Sequence, residues 1–522
     1  MSEKPRFYLT TAIDYPNSRP HIGTAFEKLG ADVQARYRRM EGANVFFLMG
    51  NDENTIKVAK RAAELGLEPK PYCDDMARQF KEVWTMLNIS FDDFIQTSEE
   101  RHHIGCRKFI QKVYDNGYIR KGSYEGWYCE GCEAFKTEKE LVEGKCPDHK
   151  MPAIRRTEPC FSFELSKFQA QLLAFYEANP DFIQPESRRN EILALVKEEL
   201  RDVNITRVGQ TWGIRVPFDE TFTIYVWFDA LLNYITGVGY GTDEERFAKW
   251  WPADIHFIGK DITRFHCALW PAMCFAAGIT PPKLVFGHGF VNNDGQKMSK
   301  SLGNIVEPGE ILSKFGVTSD AVRYYFMREC PFPSDGDYSE KRFVEVFNSE
   351  LANTYGNLYS RIVTLVTGNY AGTFAGTAGQ TADAIPGLDI PKIVANVREA
   401  VEQCRYSQAL QAVMVDLLMP VNQFMEANAP WKLVKTDLPA AAKVLFTALE
   451  PLRVATILLK PFIPLGAETI YRGFNFDTPW ESVSYADAAR PGRWESDLRV
   501  TAELNEKGKV TPVYQRLNVK TT

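Results

Sequence analysis

Three clusters of residues in this sequence have types and spacings that could do chemistry. The first is Pro20-His21-Ile22-Gly23-Thr24, which lies between a short apolar run, Phe7-Tyr8-Leu9, and a segment from Ala25 to Met40 with apolar residues at helical spacing. Strand, loop and helix in that order aim the N–H groups of the helix start at the loop, and such groups suit phosphate. Gly23 lets backbone approach a phosphate closely, and His21 can donate to oxygens on which charge develops. The plain alternative is a His in a polar loop. The second cluster, Lys297-Met298-Ser299-Lys300-Ser301, follows a turn signal at Asn292-Asn293-Asp294-Gly295. Its two Lys residues around a small Ser make either a mobile cationic flap or a solvated basic loop. The third cluster pairs Cys129 with Cys132 and Cys146 with His149, each across a two-residue gap. That pattern fits a tetrahedral Cys3His zinc site, closed by four protein ligands and therefore structural. The alternative is reduced thiols and an imidazole without metal.

The elements that must position these clusters read as an α/β sheet. Ala43 to Met49 is a second strand, and Gly50-Asn51-Asp52-Glu53-Asn54 follows at its C-terminal end, where open α/β sheets bind ligands. From the sequence alone, Asp52 there reads as a helix cap. Helical stretches run through Ile56–Leu65, Cys73–Leu87 and Glu100–Asn116. The strand–helix rhythm then stops from Tyr118 to Gly213, which reads as an insertion bearing the zinc cluster; Cys160, without a close partner, reads as core. Thr223 to Tyr234 is strand then helix, and Leu284 to Val291 is the last sheet strand. Thr318–Arg328 is a linking helix, and Ser339 to Pro464 is helical apart from a Gly-, Ala- and Thr-rich loop at Gly368–Pro391.

Composition bounds the rest. With 522 residues, 45% hydrophobic and 25% charged, the chain should hold several ordinary globular domains. No apolar run is long enough for a membrane span or a signal peptide, so no membrane and a cytoplasmic location are expected. Ten Cys residues are too few for a disulfide scaffold. A net charge of −6 means that any nucleic-acid partner must meet a local basic face.

Lys-Met-Ser-Lys-Ser far downstream of Pro-His-Ile-Gly resembles the paired signatures of the class I aminoacyl-tRNA synthetases. The first signature usually ends in His; here it ends in Thr24, which can donate a hydrogen bond but carries no charge. Within that class the chain is similar to the methionyl-tRNA synthetases. The resemblance implies catalytic roles for His21, Thr24, Lys297 and Lys300. It implies a methionine pocket of Ala12, Ile13, Tyr15, Asp52, Trp227, Ala230, Tyr234, Ile262 and His266. It places ATP against His21, Gly23, Thr24, Glu27, Gly259, Asp261, His288, Val291, Lys297 and Lys300. Without it, Trp227 and His266 would read as core. It matches Asn353, Asn357, Arg361 and Trp431 to the family's anticodon contacts; the first three share a helix face by their four-residue spacing, which a solvated polar face would also show.

The expected fold class is therefore α/β: a Rossmann-like parallel-sheet catalytic domain with a zinc-bearing insertion, followed by an α-helical bundle that binds the anticodon. The boundaries read as 1–117 and 214–338 for the two catalytic halves, 118–213 for the insertion, 339–500 for the bundle and 501–522 for a tail. The expected activity is ATP-dependent ligation of L-methionine to tRNA(Met), initiator included. The expected cofactors are one structural Zn per chain and Mg with ATP. A monomer is expected, because the chain ends before the dimerising module that many relatives carry.

Overall fold

The computed structural model describes residues 4–518 apart from 132, 133, 137, 148, 199, 300, 301 and 507–509. Cys132, Lys300 and Ser301 of the predicted clusters thus lie outside the described residues. The centre is a six-stranded parallel sheet: β1 (Arg6–Thr11), β2 (Asn44–Asn51), β3 (Asp93–Gln96), β4 (Ile183–Gln184), β5 (Ile255–Gly259) and β6 (Val285–His288), in the spatial order β3-β2-β1-β5-β6-β4. β2 is buried from Val45 to Asn51 and β5 throughout, the pattern of strands covered on both faces. The chain builds outward from β1 to β3 on one side and places β5, β6 and β4 on the other. The crevice at the C-terminal ends of β1 and β5 is therefore the point where the strand order reverses, the ligand position of such sheets.

Helix α1 (Ile22–Met40) crosses under this point and buries Ile22, Ala25, Phe26, Leu29, Val33 and Tyr37. Residues 118–213 combine an antiparallel sheet, in which Ile119–Cys129 pairs with Ala134–Lys136 and with Ile154–Phe163, and the latter with Val203–Asn204, with the helices Gln169–Ala178 and Glu186–Lys197. The same range supplies β4 to the edge of the main sheet. Two residues are too short for any periodicity to announce a strand. The last sheet strand is also shorter than the reading of Leu284–Val291. At Gly289 a Cβ would lie 2.0 Å from the Ser334 carbonyl carbon, so the chain bends there, and Val291–Asn293 joins a separate small sheet with Gln296–Lys297 and Gly336–Tyr338.

Helix α2 (Ser319–Glu329) leads into the bundle, whose long members include α3 (Asn357–Tyr370), α4 (Ile390–Glu402) and α5 (Leu438–Leu459). Phe347–Gly356 and Ala412–Leu418 are π-helical turns. Tyr514, in the expected tail, is buried and donates its hydroxyl to Asp320 of α2 (3.0 Å). Among the described residues, no helix is long and apolar enough to cross a membrane.

One buried cation joins the two halves. Arg323 of α2 pairs with Asp32 of α1 (2.7 Å) and donates to Phe462 O (2.8 Å) and Pro461 O (2.9 Å) past the end of α5. It also reaches Leu87 O and Asn88 O (3.3 Å each). Burial pushes the Asp32 carboxyl up, but Arg36 and Arg323 outweigh it and hold the group well below the usual carboxylate range. Arg323→Met should lower unfolding free energy by roughly 3 kcal/mol, the low end for breaking a buried pair because Arg36 still faces Asp32. Urea unfolding measures this, and the Asp32→Asn/Arg323→Met double variant should recover part of the loss.

Candidate active site

Helix α1 begins where the sheet opens, and His21 is its N-cap. The imidazole Nδ1 accepts from the N–H groups of Gly23 (3.0 Å) and Thr24 (3.4 Å). An accepting Nδ1 places the ring proton on Nε2, so the donor faces away from the helix backbone. A Cβ on Gly23 would sit 2.9 Å from His21 Cε1 and 3.3 Å from the methyl of Met298. Glycine there lets the His ring and the Met298 segment close on the same turn. The segment after the flap is tied to the same place, since Ile22 N–H donates to Val306 O (2.9 Å).

These groups line a cavity of about 440 Å³ at the sheet's reversal point, with Ala12, Ile13, Tyr15, Thr24, Glu27, Trp227, Gly259, Asp261, Ile262, His288, Val291 and Lys297. Asp14, Lys28, Phe290 and Asn292, to which the sequence assigned no site role, join them, as does Met298 of the Lys297–Ser301 cluster. At the end formed by α1 and β6, Glu27 accepts from His288 Nε2 (2.9 Å), and His288 Nδ1 meets Gly289 O (2.7 Å). Burial pushes Glu27 up, but Lys28 and His288 win and hold it ionised below its ordinary range. A Cβ on Gly259 would lie 2.7 Å from Asp261 Oδ1, so glycine lets that carboxylate fold back over the strand end. Lys297 lies 6.0 Å from the Phe290 ring centre on the cavity wall, while Lys260, 4.8 Å from the same ring, pairs with Asp335 (2.6 Å).

The other end is apolar and neutral. Trp227 stacks on Phe265 with ring centres 4.1 Å apart and planes 1° from parallel. Tyr234 O–H meets His266 Nε2 (2.7 Å), and His266 Nδ1 meets Ile262 O (3.0 Å). Burial pushes the His266 imidazole down to about 4, so it is neutral, with Nδ1 donating and Nε2 accepting. Asp52, Ala230, Tyr234 and His266 are buried next to the cavity rather than on its open lining. Asp52 does not cap the following helix; Thr55 does, accepting from Val58 N–H (3.1 Å). Asp52 N–H instead donates to Asp14 O (2.9 Å). Asn54 reaches Asp229 (2.8 Å), which meets His102 Nε2 (2.6 Å). Donor atoms that close are hydrogen-bonded, and the buried His102–Cys106–Asp229 group is a structural lock on this wall rather than a metal site.

Away from this cavity, the donor atoms of Cys129, Cys146 and His149 lie within 4.8 Å of one another. Cys129 and Cys146 are buried, and a Cβ on Gly131 would lie 2.4 Å from the His149 ring, so the turn packs on the imidazole. Two thiols and one imidazole converging at a hairpin end fit a thiophilic metal. In the bundle, Asn353 and Asn357 are exposed while Leu351 and Leu358 are buried. Arg361 lies 4.4 Å over the half-buried Trp431 ring and pairs with Glu426 (2.8 Å). The structure thus brings Arg361 and Trp431 together, at the end of the face carrying the two amides.

Glu53, beside Asp52, is fully buried; its carboxyl accepts from Gln96 (3.0 Å) and Ser98, and its backbone O accepts from Trp212 Nε1 (2.7 Å). Burial pushes this carboxyl up to about 7. A folded-state value above the unfolded one adds stability at low pH, which is lost as pH rises from about 4.5 through about 7. Glu53→Gln should therefore remove a part of the stability difference between pH 5 and pH 8, up to about 3 kcal/mol. Paired denaturant titrations at the two pH values measure it.

The family description "tRNA synthetases class I (M)" matches residues 7–155 and 148–363, and "Anticodon binding domain of methionyl tRNA ligase" matches 375–491. A methionine–tRNA ligase of Nostoc sp. is 41% identical over 98% of this chain and 97% of its own. That of Thermosynechococcus vestitus is 42% identical over 99% of each. The structure of Mycobacterium tuberculosis methionyl-tRNA synthetase in complex with methionyl-adenylate superposes with a TM-score of 0.90 at 37% identity, covering 98% of this chain and 100% of that one. With the reversal-point cavity, the His21 turn and the flap in one place, these matches have one meaning: the chain belongs to the methionyl-tRNA synthetases of class I.

Proposed function

We infer that the protein is a methionine–tRNA ligase. The methionine carboxylate attacks the α-phosphate of ATP, pyrophosphate leaves, and the methionyl-adenylate is attacked by the terminal ribose hydroxyl of tRNA(Met), releasing AMP. The observation that carries the reading is the single cavity that joins a phosphate-binding helix start to an apolar, neutral end. A thioether packs well on flat aromatic faces such as the Trp227–Phe265 pair, and the neutral Tyr234–His266 couple adds no charge there. Asp52 is assigned to the substrate ammonium. Glu27, Gly259, Asp261, His288 and Val291 are assigned to the adenosine. His21 Nε2–H, Thr24, Lys297 and, from sequence, Lys300 are assigned to the phosphates. Mg²⁺ accompanies ATP and neutralises its outer phosphates. No protein group needs to be acylated; positioning and charge stabilisation supply the rate.

His21→Ala should lower methionine-dependent ATP–pyrophosphate exchange by about 10²–10³ in the rate constant, the worth of one donor to developing charge. Substrate KM values should move much less, and an unaltered rate constant would reduce His21 to a helix cap.

Cys129, Cys146 and His149 are assigned, with Cys132, to one structural Zn²⁺. Purified protein should carry one zinc per chain by elemental analysis, and Cys129→Ser should lose it and loosen the hairpin, because metal binding and local folding are coupled. Zinc-free protein with intact, reduced ligands would contradict the assignment.

Asn353, Asn357, Arg361 and Trp431 are assigned to the anticodon. Two exposed amides read base edges, and the Arg361–Trp431 pair offers a charged stacking platform. Stacking on one aromatic is worth about 1–3 kcal/mol per base. Trp431→Ala should therefore weaken tRNA charging about tenfold or more while methionine-dependent exchange stays near that of the parent protein. A parallel fall in both would mean that Trp431 is bundle core.

A further inference from the structure

Lys28 is a buried cation lining the nucleotide cavity, with two hydrogen bonds and a further carboxylate at ion-pair distance. Its ammonium donates to Ala12 O (2.9 Å), pairs with Asp14 Oδ2 (2.9 Å) and donates to Glu27 Oε1 (2.7 Å). Only 1% of its side chain is exposed. Each partner belongs to a different part of the site. Ala12 continues β1 and lines the apolar end. Asp14 accepts, through its backbone O, from the N–H of Asp52 (2.9 Å) and the side-chain amide of Asn51 (3.1 Å), both at the end of β2. Glu27 accepts from His288 at the end of β6. One ammonium therefore connects the ends of β1, β2 and β6 through α1.

We propose that Lys28 is a positioning residue for adenylate formation, with Asp14 as its partner: it fixes the wall that holds the amino acid to the wall that holds the nucleotide. The proposal rests on the reading of the cavity as the site of methionine and ATP. A compact ammonium on a flexible four-carbon stem suits this task, because it holds two hydrogen-bond acceptors and stays paired with a third group on another element. The attack needs the carboxylate and the α-phosphate held within a fraction of an ångström of one geometry, and a mis-set wall costs rate even where both substrates bind. Loss of Lys28 leaves the Asp14 and Glu27 carboxylates facing each other without the shared cation. Loss of the Asp14 charge frees only the end that leads to Asp52, since Glu27 and His288 keep their contact with Lys28.

The test compares methionine-dependent ATP–pyrophosphate exchange in the unaltered chain, Lys28→Met, Asp14→Asn and the Asp14→Asn/Lys28→Met double variant, with KM for each substrate and kcat resolved. Lys28→Met should raise both KM values about tenfold and lower kcat by a further ~10²-fold, the size of effect a small misplacement produces. Asp14→Asn should raise the KM for methionine several-fold and leave that for ATP within about twofold, a split that general loosening does not give. The double variant carries one unpaired carboxylate fewer, so it keeps the comparison open if Lys28→Met alone does not fold; it should show the same rise in both KM values. Unchanged KM values in a folded Lys28 variant, or an Asp14→Asn variant whose two KM values rise equally, would overturn the proposal. Exchange in the unaltered chain that does not depend on methionine would instead count against the parent reading of the cavity.

Discussion

The guanidinium of Arg323 is the constraint from which the rest of the geometry follows. Carried by α2, it reaches acceptors on α1, in the turn after α5 and at Leu87–Asn88. A cation buried so completely is tolerated only while Asp32 remains opposite it. The pair therefore fixes the angle of α1 against the bundle. That angle sets where the N-terminus of α1 points, and with it His21. A tail residue, Tyr514, closes the same junction through Asp320 on the next turn of α2. The bundle is in this way joined directly to the helix that opens onto the cavity.

At the site itself the same economy recurs. The His21 ring serves the helix with one nitrogen and leaves its proton on the other, so the side chain that caps α1 also keeps a donor at the cavity. The two ends of the cavity differ in dielectric and charge for opposite reasons. One end gathers Lys28, His288 and Lys297 with the carboxylates of Asp14, Glu27 and Asp261, whereas burial keeps the His266 imidazole neutral beside Tyr234 at the apolar end.

Much of this was legible in the sequence because the signals were local. His21-Ile22-Gly23 preceded a helix with clear periodicity, and the strands β1 and β2 were apolar runs of ordinary length. The Cys and His pairs announced a ligand set of which the three described members do converge. What was not legible depended on long-range contacts. β4 is two residues long and exists because β6 offers it an edge. The burial of Lys28 depends on Asp14 and Ala12, twelve or more positions earlier, closing over it. Phe265 gains meaning only from Trp227, thirty-eight positions earlier. Asp52 suggested a helix cap, a role that the structure gives to Thr55. The π-helical turns at Phe347–Gly356 and Ala412–Leu418 left no mark on the hydrophobic period.

The measurement that tests the account most directly is amino-acid-dependent ATP–pyrophosphate exchange by the purified chain, run in parallel with methionine, leucine, isoleucine, valine and cysteine. The account predicts exchange with methionine and at least about a hundredfold lower kcat/KM with each of the others, a discrimination of about 3 kcal/mol. Exchange that favours a branched amino acid or cysteine, or none with methionine while ATP still binds, would contradict it.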